Sequence, residues 1–136
     1  MDEVDKEIIK ILKQNGRVSY IDIGRKVGLS EGAVRLRIRR LIESGIIKRF
    51  TVETELTDEV EALCLISASP SFPTSRISAA LMATPNVKKV YEVTGVYDIV
   101  VVVSAANISE VNECVENIRK IEGVLSTNTM IVLQNV

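Results

Sequence analysis

Arginine is the most chemically informative residue in this chain, because four arginines fall within six positions of one predicted helix. They are Arg35, Arg37, Arg39 and Arg40. A guanidinium carries a planar fork of N–H donors that matches both phosphate oxygens and the edge of a guanine base. A row of arginines on a helix is usually only a solvated face. Nucleic-acid contact therefore depends on what the neighbouring elements predict.

The helix that positions these arginines is predicted over residues 29–45. Ser30 is a suitable N-cap, and Gly45 can adopt the left-handed conformation that ends a helix. An apolar stripe at helical spacing forms its inner side, and its members are Val34, Ile38, Leu41 and Ile42. At roughly 100° per residue, a second set points away from that stripe, namely Gly32, Leu36, Arg39, Arg40 and Glu43. A helix with an apolar back and a basic front fits the major groove of DNA.

Two shorter helices are predicted before it, over residues 2–15 and 19–27. Asp2 and Ser19 begin them, and Gly28 makes a tight break before the arginine helix. A helix, a tight turn containing glycine and a second helix form the spacing of a helix-turn-helix motif, whose second helix reads the groove. The alternative is an ordinary three-helix bundle that contacts another protein.

A short strand is predicted over residues 45–52, GIIKRFTV, and it makes the domain a winged helix-turn-helix. Arg35, Arg39 and Arg40 are expected at base edges or phosphates, with Leu36 beside a thymine methyl. The other cations are expected at phosphates. The full predicted DNA-contacting set is Arg17, Arg25, Ser30, Gly32, Arg35, Leu36, Arg39, Arg40, Lys48 and Arg49.

Charge divides the chain into two parts. Residues 1–50 hold 12 Lys and Arg against 7 Asp and Glu, whereas residues 51–136 hold 5 against 11. This asymmetry predicts two domains with different partners. We expect a winged helix-turn-helix domain over 1–52, an acidic linker over 53–61 and a second domain over 62–136.

The composition argues against an enzyme and against a metal site, because the residue types that most often serve them are scarce. The chain has no histidine and only two cysteines, Cys64 and Cys114, which lie among apolar residues. They are typical of buried thiols in a reduced compartment. There is no apolar run long enough to span a membrane and no signal peptide pattern. We therefore expect a cytoplasmic protein that is not an enzyme, has no membrane partner, and carries no metal and no cofactor.

The second domain follows the order strand, helix, strand, strand, helix, strand. This βαββαβ order is that of a ferredoxin-like fold, so the chain is predicted to be α+β. Its strands are predicted over 62–68, 87–94, 99–105 and 124–133. One helix is predicted over 75–83, and a second is capped by Asn107 or Ser109 and runs to about 122. Helices on one sheet face leave the other face apolar and open. We expect a second copy of the chain to cover it, in a homodimer.

Two polar segments interrupt these apolar strands: the turn GVYD at residues 95–98 and STNT at residues 126–129. Turn N–H groups can hold a carboxylate, and Asp98 can accept a hydrogen bond from an ammonium group. Thr127 and Thr129 lie two residues apart and share one strand face. The alternative is a plain hairpin turn and ordinary strand threonines.

The motifs GRVS, VGLS and AVRLRIRRLIESGII, following Asp5, Ile8 and Leu12, resemble the leucine-responsive/asparagine (Lrp/AsnC) family of transcription regulators. The resemblance continues through PNVKKVYEVTGVYDIVVVV and GVLSTNTMIVL. It implies an amino-acid effector bound between dimers, which commonly assemble into octamers. Carried to this chain, the effector residues are Gly95, Val96, Tyr97, Asp98, Thr127 and Thr129. The predicted function is sequence-specific regulation of transcription on double-stranded DNA. The alternative is an architectural DNA-binding protein with little sequence preference and no effector.

Overall fold

The computed structural model describes residues 1–54 and 58–136. The chain separates into two compact units, Met1–Thr54 and Glu55–Val136. The predicted linker over 53–61 falls partly on residues 55–57, which lie outside the described residues. Within the described residues, no helix is both long enough and apolar enough to cross a membrane.

The first unit contains three helices. They are α1 (Glu3–Gln14), α2 (Tyr20–Val27) and α3 (Glu31–Glu43). The predicted N-caps form, because the side chains of Asp2, Ser19 and Ser30 each accept a backbone N–H three residues later. The helices bury a common core made of Ile8, Ile11, Ile23, Val34 and Ile38. The predicted helix-turn-helix is therefore confirmed.

The turn between α2 and α3 depends on two glycines. Gly28 has φ of 75°, in the left-handed region that glycine adopts without strain. Gly24 lies on α2 with no room for a side chain, since a Cβ there would lie 2.3 Å from the carbonyl oxygen of Leu29. The two glycines let the chain turn sharply and bring the start of α3 against α2.

The predicted strand over 45–52 does not form. Described residues 45–54 are in no helix or strand, because no partner strand in the first unit offers hydrogen bonds. Backbone hydrogen bonds hold the start of the segment to the end of α3: Gly45 N–H donates to Ile42 O and Ile47 N–H to Leu41 O, each over 3.0 Å. Two side chains predicted to face inward are instead exposed, Ile21 by 51% and Ile42 by 46%.

The second unit has the predicted ferredoxin-like order. Its elements are β1 (Val60–Ala68), α4 (Thr74–Met82), β2 (Val87–Glu92), β3 (Ile99–Ala105), α5 (Ile108–Arg119) and β4 (Val124–Ile131). The four strands form one antiparallel sheet in the order β2-β3-β1-β4. β1 begins earlier than predicted, so Val60 and Glu61 belong to the strand rather than to the linker. Their pairing with Ala105 and Ser104 explains this extension.

The two faces of the sheet differ. One face packs under α4 and α5 in a fully buried core, whose members include Ala62, Cys64, Ile66, Ile99, Val101, Val103, Ile77, Leu81, Val111 and Ile118. Because side chains alternate along a strand, the intervening residues face the other way. Leu63, Leu65, Val100 and Val102 are only half-buried there. The centre of this open sheet face, formed by β1 and β3, is apolar, as the sequence predicted.

Candidate nucleic-acid interface and ligand site

The outer side of α3 is open to solvent. Val34, Ile38 and Leu41 hold its inner side in the core. Arg39 and Arg40 are exposed, and neither forms an ion pair with a carboxylate among the residues that the structure describes. Leu36 lies on the same side with 42% of its surface exposed. Two guanidinium groups and an apolar contact are therefore available together on one helical face.

Arg35 lies at the edge of this face and already has partners. Its Nη2 pairs with Glu31 Oε1 at 2.6 Å, one helical turn earlier. Its guanidinium carbon also lies 5.5 Å from the centre of the Tyr20 ring on α2. These contacts fix the side chain near the start of α3, while half of it stays in water.

Arg37 has a different environment from the other three arginines. Its Nη1 pairs with Asp2 Oδ2 at 2.6 Å and Asp5 Oδ1 at 3.1 Å, both at the start of α1. The hydrogen bond from Arg37 lowers the pKa of Asp2 to about 2, and the Asp5 N–H that Asp2 caps adds to this effect. Arg37 therefore ties α1 to α3 and belongs to the scaffold, not to the outer face.

The remaining residues of the predicted DNA-contacting set are exposed, with different local roles. The hydroxyl of Ser30 accepts Ala33 N–H over 3.2 Å, so it caps α3. Gly32 has open space where a Cβ would lie, which leaves the first turn of α3 free for close approach. Arg25 lies 3.6 Å from Asp22. Arg17, Lys48 and Arg49 are exposed outside the helices.

The GVYD turn connects β2 and β3. Gly95 has φ of 114°, and Val96 is 89% exposed, so the turn projects into solvent. Asp98 anchors its end: Asp98 Oδ2 accepts Ala68 N–H over 2.7 Å, and Asp98 N–H donates to Ile66 O over 2.9 Å. One oxygen of this carboxylate is thus occupied by the end of β1.

Thr127 and Thr129 lie on the side of the sheet that carries the helices. They stand opposite Ile66 and Cys64 of β1, whose side chains are in the core. The hydroxyl of Thr129 donates to Cys64 Sγ at 3.7 Å. The hydroxyl of Thr127 accepts the Nε–H of Arg119 over 3.1 Å.

Tyr97 lies on a different part of the surface. Its hydroxyl accepts a hydrogen bond from Asn128 Nδ2 over 3.1 Å. Asn128 alternates with the two threonines, so its side chain is on the opposite sheet face. The structure therefore brings the turn and β4 to one end of the sheet. It divides the six predicted effector residues between two faces.

Both cysteines are free and buried. Burial raises the pKa of each thiol, so neither is poised as a thiolate. In the described residues, no group of His, Cys, Asp or Glu has an arrangement that would hold a metal ion.

Comparison with known domains decides the family. Residues 1–48 match a family model described as winged helix-turn-helix DNA-binding, and residues 61–136 match the Lrp/AsnC ligand binding domain. The chain belongs to the Lrp/AsnC family. It is a transcription regulator with a helix-turn-helix DNA-binding domain and a ligand-binding domain.

Curated relatives agree over almost the whole chain. It is 45% identical over 134 residues to the HTH-type transcriptional regulator LysM of Saccharolobus solfataricus, covering 98% of this chain and 94% of that one. It is 39% identical over 137 residues to the HTH-type transcriptional regulator FL11 of Pyrococcus furiosus, covering 98% and 90%.

Solved structures match the Lrp/AsnC chain equally completely. The leucine response regulatory protein of Mycobacterium tuberculosis aligns with a TM-score of 0.81 at 26% identity, covering 99% of this chain and 94% of that one. AsnC of E. coli aligns with a TM-score of 0.71, also at 26% identity, covering 99% and 93%. The predicted fold class is confirmed.

Sequence reasoning missed three contacts in and around these sites. The first is the pairing of Arg37 with Asp2 and Asp5, for which the acidic first turn of α1 is a usable signal. The second is the hydrogen bond from Asn128 to Tyr97, which the spacing of the threonines does not indicate. The third is the contact of Arg119 with Thr127, which depends on how α5 lies across the sheet.

Proposed function

We propose that this Lrp/AsnC protein binds double-stranded DNA sequence-specifically as a homodimer, and that a small amino acid modulates its DNA binding or assembly. The observation that carries this proposal is the outer face of α3. Arg39 and Arg40 are exposed there beside Leu36, on the second helix of a helix-turn-helix. That helix is the one such motifs place in the major groove.

Each candidate DNA contact has a distinct role. Arg39 and Arg40 contact base edges, where a bidentate arginine–guanine pair contributes about 1–3 kcal/mol of discrimination. Leu36 contacts a thymine methyl, and Arg35 contacts a base or phosphate at the groove edge. The first turn of α3, with Ser30 and Gly32, approaches a phosphate. Phosphate contacts that set the register come from Arg17, Arg25, Lys48 and Arg49.

The dimer forms through the open sheet face. Leu63, Leu65, Val100 and Val102 would be removed from water by a second copy of the same face. A two-fold dimer presents two DNA-binding domains to a palindromic site, with half-sites roughly 34 Å apart. Further association of dimers, up to an octamer, provides the contact that the effector shifts.

The effector site lies between dimers and combines the GVYD turn of one copy with β4 of a neighbouring copy, because within one copy these residues are divided between two sheet faces. The N–H groups around Gly95, Val96 and Tyr97 hold the effector carboxylate, as successive turn N–H groups do for anions. The free oxygen of Asp98 accepts from the ammonium group, and Thr127 and Thr129 contact the rest. Binding at this site changes DNA affinity through the dimer–dimer contact, which makes the two sites energetically coupled.

The proposed domain division is 1–52 for DNA binding and 62–136 for effector binding and oligomerisation, with β1 extending the second domain back to Val60 and so shortening the predicted 53–61 linker. We assign no catalytic step to the chain and place it in the cytoplasm. The absence of histidine from the sequence removes the commonest general base.

Fluorescence anisotropy tests this function directly. The labelled probe is the DNA upstream of the protein's own gene, with random DNA as control, at two salt concentrations and with each amino acid added in turn. We expect the upstream DNA to bind at least about a thousandfold more tightly, and one amino acid to shift the curve. Equal, salt-sensitive binding to both DNAs would favour the architectural alternative. Binding to neither would refute DNA recognition.

A further inference from the structure

Arg119 is the last residue of α5 and lies beside the candidate effector threonines. Its Nε–H donates to Thr127 Oγ1 over 3.1 Å, which turns the guanidinium toward β4. Its Nη1 pairs with Glu116 Oε1 at 2.8 Å, one turn back along the helix. The side chain is 55% exposed, so it meets both the sheet and the solvent.

The charge of Arg119 also affects the thiol of Cys64, which lies opposite Thr129 on β1. Burial raises the pKa of the Cys64 thiol, whereas the hydrogen bond from Thr129 and the positive charge of Arg119 act in the opposite direction. The guanidinium is thus close enough to influence Cys64, the residue that Thr129 contacts. Arg119, Thr127 and Thr129 therefore form one polar group on the side of β4 that carries the helices.

We propose that Arg119 binds the carboxylate of the effector and restricts the site to ligands with a free carboxylate. This inference rests on the proposed effector function and names its ligand class. A guanidinium and a carboxylate form charge-assisted, often bidentate hydrogen bonds, which are stronger than those between neutral groups. A carboxylate accepts about four hydrogen bonds, so Arg119 of one copy and the turn N–H groups of a neighbouring copy can share it.

Glu116 is the carboxylate partner of this guanidinium. It is exposed and flexible enough to be displaced, because a surface ion pair one turn apart contributes little stability. The effector carboxylate competes with it for Arg119. Replacing Glu116 by Gln removes this competitor and should tighten effector binding severalfold, while leaving Arg119 in place.

A purely structural role for Arg119 gives different expectations. A cation in the last turn of a helix stabilises it through the helix dipole. If that were its whole function, removing the charge would lower thermal stability, but the protein would still distinguish a carboxylate from an amide. The preference for an acid over its amide therefore separates the two roles.

The test uses the full-length protein and calorimetric titration. A panel of the twenty amino acids is screened first by thermal shift, and the strongest ligand is then compared with its own C-terminal amide. The variants are Arg119→Met, Arg119→Lys and Glu116→Gln. The matched control is Lys120→Met, which removes the same charge from the adjacent position of α5.

We expect the wild type and Lys120→Met to prefer the acid over the amide by about tenfold or more. Arg119→Met should lose about tenfold in affinity for the acid, bind the amide unchanged and show almost no preference between them. The acid preference of Arg119→Lys should fall between those of the wild type and Arg119→Met, since lysine keeps the charge but lacks the planar guanidinium with its paired donors.

Two results would overturn the inference, and they are distinguishable. If the wild type binds an amino acid and Arg119→Met retains the same acid preference, the role of Arg119 is refuted while the effector function stands. If no amino acid binds the wild type, both the effector function and the role of Arg119 fall.

Discussion

At the scale of single residues, the four arginines of α3 have two separate tasks. Arg37 is held by Asp2 and Asp5 at 2.6 and 3.1 Å, and it faces α1. Arg39 and Arg40 face the other way, with no carboxylate partner among the described residues. An arginine that already pairs with two carboxylates would have to break those ion pairs to bind a phosphate, whereas an arginine without a carboxylate partner gains a new partner on binding DNA. Identical residue types two positions apart are thus assigned to different functions by their neighbours.

The ion pair of Arg37 predicts a pH dependence for the first unit. The pKa of Asp2 is about 2 in the folded chain, below its ordinary value of 3.8. The stabilisation is therefore fully present above pH 3.8 and is lost as pH falls through about 2. In Arg37→Met, the pKa of Asp2 should return toward 3.8, as measured by NMR titration of the carboxyl carbon. An Asp2 that titrates near 3.8 in the wild type would contradict this account.

Some of these residue contacts could be predicted from the sequence and others could not. Ser30 as N-cap and the outward direction of Arg39 follow from local spacing alone. The contact between Arg119 and Thr127 does not, because it depends on where α5 ends relative to β4. Asp98 shows the same limit: its carboxylate was available for an ammonium group in the sequence, but Ala68 N–H takes one of its oxygens in the fold.

At the scale of secondary-structure elements, the helix-turn-helix depends on how closely α2 and the start of α3 approach. Gly24→Ala would place a Cβ 2.3 Å from Leu29 O, a backbone atom that cannot move without shifting α3. We expect a destabilisation of about 1–3 kcal/mol or more in the first unit, together with loss of DNA binding. Thermal unfolding followed by circular dichroism measures the stability.

Gly32→Ala is the matched substitution on α3. Nothing lies within 4 Å of a Cβ at this position, and alanine is a better helix former by about 1 kcal/mol. The variant should therefore unfold at the same or a higher temperature. If the first turn of α3 approaches a phosphate, Gly32→Ala should nevertheless bind DNA more weakly than the wild type, because the added methyl group lies where the phosphate would approach. Equal loss of stability in the two variants would show that the tight turn is not where the structure places it.

Elements with strong local signals were predictable, whereas a short strand with a weak pattern was not. Capping residues and apolar stripes defined all three helices of the first unit to within a few residues. The predicted strand over 45–52 was wrong because a short apolar segment cannot supply its own hydrogen-bonding partner. The ferredoxin-like unit was predicted correctly because β3, IVVVVSA, is a run that only a buried strand explains, and the order of elements then limits the topology.

At the scale of the whole molecule, the second unit has one sheet face that α4 and α5 leave uncovered. Its open sheet face carries half-buried apolar residues that no helix covers. Leu65→Asp would place an unpaired charge in the proposed dimer contact, and leaving a buried charge unpaired costs about 3–5 kcal/mol. We expect this variant to shift the protein from dimer or larger assembly to monomer in analytical ultracentrifugation.

Met82→Asp is the control for this substitution. Met82 is 58% exposed on α4, which packs on the opposite side of the sheet, so the same charge is introduced away from the open sheet face. It should leave the dimer intact. If Leu65→Asp remains as fully associated as Met82→Asp, the open sheet face is not the dimer contact.

The most direct measurement of the central claim is the ratio of affinities for specific and random DNA in Arg39→Ala. Anisotropy at two salt concentrations would give this ratio for the wild type, for Arg39→Ala and for Lys120→Ala as control, since Lys120 is exposed at the end of α5 and away from the open sheet face. We predict that Arg39→Ala loses about 1–3 kcal/mol of specific binding, keeps its thermal stability and changes random binding much less. Lys120→Ala should match the wild type. An unchanged ratio in both Arg39→Ala and Arg40→Ala would mean that the outer face of α3 does not read the DNA sequence.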